Sequence, residues 1–190
     1  MDRKKGAFMR KNICGFTLIE LLIVVAIIGI LAALLIPNLL TSIQKAKQKQ
    51  TMNDMITITT ASMNYATDHG EAPDAGNQAG ELQPGCTFII GLAPVYFKSC
   101  PLYDQWGHKF HVYAGSSISG VYGIPEGNVS PDDILVVSFG RHGEDEGWLY
   151  MEDDSDGGLY TVRSIICFEK DLINYNGTWI RGPKPGAHGS

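Results

Sequence analysis

The sequence is short of cysteine, of positive charge outside its first residues, and of apolar residues beyond its first forty. Its four cysteines form no C-x-x-C pair, which argues against a redox centre or a zinc site. Fifteen Lys and Arg oppose 20 Asp and Glu, and five of the fifteen (Arg3, Lys4, Lys5, Arg10, Lys11) stand in residues 1–15 beside Asp2. The other 175 residues therefore hold 10 basic and 19 acidic groups. So acidic a body repels phosphate backbones, and no nucleic-acid partner is expected. Also missing are G-x-S-x-G, H-E-x-x-H and G-x-x-x-x-G-K-[ST]. Ser138, His142 and Asp145 lie within one short loop, where they are turn residues rather than a triad. No catalytic site can be argued, and no enzyme is expected.

What is present is concentrated at the start. Of residues 16–36, 18 of 21 are apolar, the exceptions being Thr17, Glu20 and Gly29; beyond them only 60 of 154 are. A secretory signal has an apolar core of about 7–15 residues, too short for this run, whereas a membrane-spanning helix needs about 20. The five leader cations hold the N-terminus in the cytoplasm and send the remainder to the outer side of the membrane. Glu20 does not belong in a plain anchor, because a carboxylate inside a membrane helix is expensive and marks function. It needs a cation, and the span holds none. A cut after Gly15 would supply one, as the α-amine of Phe16, its own or a neighbour's.

The run Lys11-Asn12-Ile13-Cys14-Gly15-Phe16-Thr17-Leu18-Ile19-Glu20-Leu21-Leu22 resembles the processing signal of type IV pilins and type II secretion pseudopilins. The resemblance implies that a prepilin peptidase cleaves between Gly15 and Phe16, that Phe16 is N-methylated, and that Glu20 serves subunit assembly. Pro37 closes the apolar run as in that family, and a helix break or bend is expected there. Three segments follow: a leader of residues 1–15, a membrane and filament-core helix of 16–36, and a periplasmic head of 37–190 that includes the second half of the helix.

Beyond Pro37, Leu40, Ile43, Met55, Ile58, Ser62 and Tyr65 recur at spacings of about 3–4, an amphipathic continuation ending at His69-Gly70. Residues 70–107 are rich in turn signals and form an irregular connector with one apolar patch at 88–92. Strands are expected at 109–114, 134–139, 159–168 and 172–180, the last broken by a type I′ hairpin at Asn176-Gly177. The expected fold is α+β: a long N-terminal helix on a small antiparallel sheet of three to five strands. Asp104-Gln105-Trp106-Gly107, Ser138-Phe139-Gly140-Arg141-His142-Gly143 and Asp171-Leu172 are similar to motifs of the major, G-type pseudopilin. Gln105 replaces that group's Pro, and His142 replaces its Asp.

Once the leader leaves with Cys14, Cys86, Cys100 and Cys167 remain, and they allow three single disulfides. Cys86–Cys100 is the expected pair, because it would staple the connector; a 15-residue loop is worth about 3 kcal/mol in the loop-entropy account. Cys167, in an apolar strand signal, would then be a buried thiol. His108 and His111, three apart in an expected strand, face opposite ways and make a poor metal site.

Seven acids stand between residues 144 and 156 with no Lys or Arg among them. An EF-hand starting at Glu152 fails, since its bidentate position is Arg163. Acids at this density suit Ca²⁺, and the resemblance implies Ca²⁺ in this loop; the candidate ligands are Glu144, Asp145, Asp154 and Asp156, with Asp171 from the following segment. The function that follows is a filament subunit that drives type II secretion. Its partners are identical copies, the prepilin peptidase, an inner-membrane assembly platform and, before assembly, membrane lipid. A type IV pilus subunit is the alternative, and a membrane-anchored periplasmic enzyme or metal-binding module the rival from another class.

Overall fold

The computed structural model describes residues 15–74, 80–151 and 158–188, with side chains as far as Lys184. The leader residues 1–14, Asp154 and Asp156 lie outside the described residues. The chain divides into two compact units, Met1–Leu40 and Thr41–Ser190. Helix α1 (Leu18–His69) contributes to both.

In the first unit every large apolar side chain from Phe16 to Leu40 is exposed. The helix is long and apolar enough to cross a membrane. The break expected at Pro37 does not occur, and α1 runs through it. Proline removes one donor, but a helix is cooperative, and the Leu and Ile residues on either side carry the ladder past the lost bond.

In the second unit the rest of α1 buries Met55, Ile58, Ala61 and Ser62, as the periodicity predicts. Leu40 and Ile43, expected on the same stripe, are exposed instead (49% and 43%), and the first fully buried residue of the helix is Gln48. The helix closes at His69. Gly70 takes φ +82° and donates its N–H to Ala66 O at 2.7 Å, the left-handed ending that glycine permits.

Among the described residues six strands follow: β1 (Gly80–Glu81), β2 (His111–Ala114), β3 (Ile134–Ser138), β4 (Leu159–Val162), β5 (Leu172–Tyr175) and β6 (Thr178–His188). Their order in the sheet is β1-β2-β3-β5-β6-β4, antiparallel throughout except for the parallel β4–β6 pair. The hairpin between β5 and β6 has Asn176 at φ 47° and Gly177 at φ 82°, as a type I′ turn requires. β3 is buried along its whole length. Ile134 and Val136 pack with Met55, Ile58, Phe88, Phe110 and Leu172 on the helix side. Leu135 and Val137 pack with Ile118, Tyr122, Ile124 and Ile173 on the other. The second cover comes from the 3₁₀ turns Gly115–Ile118 and Val121–Gly123.

Three elements differ from expectation: β1 lies in the expected connector and brings the sheet to six strands rather than three to five. The patch at 88–92 is helix α2 (Thr87–Leu92), whose Phe88 and Leu92 are buried on the same cluster as Met55. The strand expected over 159–168 stops at Val162; residues Ile165–Glu169 form a 3₁₀ turn that buries Phe168 alone.

Candidate functional site

Gly15, Phe16 and Thr17 precede the helix and are exposed. Thr17 caps it: its Oγ1 accepts the N–H of Glu20 at 3.3 Å, while Glu20 Oε2 accepts the N–H of Thr17 at 2.8 Å and its hydroxyl at 2.6 Å. This reciprocal box satisfies two of the donors that a helix start leaves open. Thr-x-x-Glu before an apolar run was its sequence signal. Both residues lie beyond the Gly15–Phe16 bond, so the box is compatible with a cut there. Glu20 therefore stands beside the backbone of residues 16–17, where a freed Phe16 amine would be.

In the head, the buried Asp104 makes the Asp104-Gln105-Trp106-Gly107 turn a junction. Asp104 Oδ1 accepts the N–H groups of Trp106 and His108, both at 2.9 Å, and Oδ2 accepts Ser138 Oγ–H at 2.9 Å. The turn also lies along α1. Gln105 N–H donates to Thr51 Oγ1 at 3.1 Å, Gln105 Nε2 to Asp54 Oδ2 at 3.1 Å, and Trp106 Nε1 to Gln44 Oε1 at 2.8 Å. The Ser138–Gly143 loop folds over it. Gly140 (φ +63°) and Gly143 (φ +76°) are required there: a Cβ would come within 2.6 Å of Lys170 O at the first and of the His108 ring at the second.

Next to this loop sits Asp171, fully buried. Its Oδ2 accepts Glu146 N–H at 3.2 Å, and its Oδ1 is buried with no hydrogen-bond partner among the described residues. Burial, with the charges of Glu146 and Asp145 nearby, pushes its carboxyl up to about 7. Asp145 Oδ1 accepts Gly147 N–H at 2.7 Å. Glu146 is taken by Arg181, whose Nε donates to Oε1 at 2.7 Å, and Arg181 also lies over the rings of Trp148 and Tyr160. His142 directs Nδ1 to Phe139 O at 3.0 Å. Among the described residues no three carboxylates, histidines or cysteines converge on one point.

The bridge expected between Cys86 and Cys100 is not formed in the structure, and both are thiols. They pack on the same helix-side cluster, but Cys100 Sγ–H points to Pro101 O at 3.6 Å. Burial first, then the nearness of Cys86, pushes the Cys100 thiol up to about 12. Cys167 is half-buried in the 3₁₀ turn, not in a strand.

A lone apolar helix opening on a Thr–Glu box, followed by an antiparallel sheet that packs on an amphipathic helix, defines a pilin-type subunit. The prokaryotic N-terminal methylation motif matches residues 10–36. The type II secretion system core protein G of Escherichia coli (strain K12) is 30% identical over 131 residues, 64% of this chain and 88% of that protein. That of Dickeya chrysanthemi is 31% identical over 163 residues, 81% and 90% of the two chains. The type IV major pilin protein PilA of Myxococcus xanthus is 42% identical over 76 residues, 35% of this chain and 34% of that one. No solved structure matches the chain. The chain belongs to the family of type II secretion system core protein G, the major pseudopilin, and is a structural protein rather than an enzyme.

Proposed function

We propose that the chain is made as an inner-membrane precursor with its N-terminus in the cytoplasm and its head in the periplasm. Prepilin peptidase cuts it between Gly15 and Phe16 and methylates the Phe16 amine. An assembly platform then adds it to a helical filament of identical copies that drives protein secretion. The observation that carries this reading is the Thr17–Glu20 box at the exposed start of an otherwise apolar helix. Only Oε2 of Glu20 is engaged among the described residues. Oε1 is left to meet a cation from its own Phe16 or from a neighbouring copy. Intact-mass analysis of the membrane-extracted protein tests it. Loss of residues 1–15 with one added methyl is expected, and a full-length product in cells that hold the peptidase overturns it.

The acidic side of the head fits a Ca²⁺ ion as part of the same reading. Asp171 offers a buried oxygen without a partner among the described residues and Asp145 a second carboxylate beside it, the hard donors that Ca²⁺ takes. Glu144, and Asp154 and Asp156 outside the described residues, would complete the set. Glu146 is held by Arg181, and His142 is turned to the backbone. The ion would supply charge neutralisation to a buried carboxylate and no chemistry.

A further inference from the structure

The first charged groups after the apolar run are Lys45, Lys47 and Lys49. At about 100° per residue, Lys45 and Lys47 lie on the two flanks of the helix face that Gln44, Gln48 and Thr51 turn to the head, and Lys49 lies on the outer face. The burial pattern agrees: Gln48 and Thr51 are buried, Lys45 and Lys47 are half-buried, and Lys49 is exposed. Although acids outnumber bases in this protein, none of the three lysines has an ion-pair partner among the described residues. The nearest acid along the helix, Asp54, is occupied by Gln50 and Gln105. One residue before Lys45, Gln44 holds the indole N–H of Trp106, which is half-buried and next to the exposed Gln105. Tryptophan and lysine at the end of an apolar helix are the pair that settles at a bilayer's polar boundary. The 26 helical residues from Leu18 to Ile43 rise about 39 Å, close to the thickness of a bilayer with its head groups.

We propose that Lys45, Lys47, Lys49 and Trp106 form a collar that binds the phosphates of anionic phospholipids in the leaflet on the head's side. The collar holds the stored subunit at a set depth. The proposal rests on residues 16–36 being a membrane span. Lys45 and Lys49, about 40° apart, stand on one side of the helix and Lys47 on the other, and cations on opposite sides suit a lipid annulus better than a single flat contact with another protein.

The test uses the mature chain from Phe16 in phosphatidylcholine vesicles, with and without phosphatidylglycerol, that carry a spin-labelled head group. Tryptophan quenching is read, and Trp106→Phe isolates the contribution of Trp106 from those of Trp148 and Trp179. Quenching of Trp106 should rise with phosphatidylglycerol. The rise should be lost in Lys45→Gln/Lys47→Gln/Lys49→Gln and kept in the triple arginine variant. Flotation with the vesicles tests the span alone: a chain that fails to float sinks the membrane reading and the collar with it. A chain that floats but is quenched equally with and without phosphatidylglycerol overturns the collar only. Loss of the rise in the arginine variant also overturns it. If the glutamine variant keeps the rise yet forms no filaments, the lysines serve contacts between copies, and the collar is again overturned.

Discussion

Ser138 donates its hydroxyl to Asp104 across 34 residues of sequence, at 2.9 Å and in full burial. The bond ties the end of β3 to the turn that lies on α1, so one carboxylate couples sheet, turn and helix. Asp104→Ala removes the acceptor for two backbone N–H groups as well as for Ser138. Leaving such donors buried costs about 1–3 kcal/mol each, so a loss of about 3–5 kcal/mol is expected. Asp104→Asn keeps one oxygen and should lose less. Urea unfolding of a fragment starting at Thr41 measures both, and a wild-type midpoint for the alanine variant would refute the junction.

Glu20 has two separable roles, a cap for α1 and a charge. Glu20→Gln keeps an oxygen for the Thr17 N–H and loses only the charge, so helix content should hold while filament growth falls. Thr17→Ala should do the reverse at the helix start. Circular dichroism in micelles and filament length by electron microscopy separate the two. Filaments of normal length and number from the glutamine variant would mean that the charge plays no part in assembly.

Calcium should raise the melting temperature of the head. Binding to the folded state alone adds RT ln(1 + [L]/Kd), about 2.7 kcal/mol at a hundredfold excess, or roughly 5–10 °C for a head of this size. Chelation by EGTA should reverse the gain, and Asp171→Ala should abolish it. No shift at millimolar Ca²⁺ would leave the acidic run a solvated loop.

The thiols should differ in reactivity. Burial and the nearby Cys86 push Cys100 up to about 12, so little of it is thiolate at pH 8. For Cys167, burial pushes upward but is outweighed by hydrogen bonds from the backbone at Arg163 and Ser164 and from the Ser164 side chain, with Lys170 nearby. The net shift is downward. Iodoacetamide on the reduced, folded head should therefore label Cys167 first and Cys100 last, as read by peptide mapping. Under oxidising conditions we expect Cys86 and Cys100 to pair and Cys167 to stay free. Equal labelling of Cys100 and Cys167 would contradict the burial, and a bridge to Cys167 would contradict the pairing.

The long helix and the sheet were legible because each advertises itself through a period: apolar residues all round, then every third or fourth, then short strand runs closed by Asn-Gly. Where several weak signals competed, the reading slipped. α2 hid in a connector full of turn residues, because six residues are too few to show a helical stripe and only Phe88 and Leu92 use it. The 159–168 stretch looked like one strand because its apolar residues are contiguous, yet only Phe168 among Ile165–Glu169 turns inward. Buried polar residues were invisible. Thr59, whose hydroxyl meets Asn174 Oδ1 at 3.1 Å as well as Met55 O, and Gln48, which meets Tyr160 OH at 3.1 Å, each have a partner more than a hundred residues away. At the N-terminal site the motif named Gly15, Phe16 and Glu20, but the part of Thr17 went unseen, although its spacing to Glu20 was in plain view. The acidic loop was legible as composition alone; the Arg181 that claims Glu146 lies 35 residues on.

The bare apolar half of α1 also sets how copies can meet. Its exposed Leu, Ile and Val side chains, with Phe16 just before it, would cost on the order of tens of kcal/mol to leave in water. A free subunit thus has two habitable surroundings, lipid or its own kind, and no dissolved intermediate between them. Growth is then a traffic problem in two dimensions. On the function proposed above, new subunits would reach the filament base by sliding within the sheet of lipid, and the areal density of stored copies, rather than any concentration in solution, would limit how fast it lengthens.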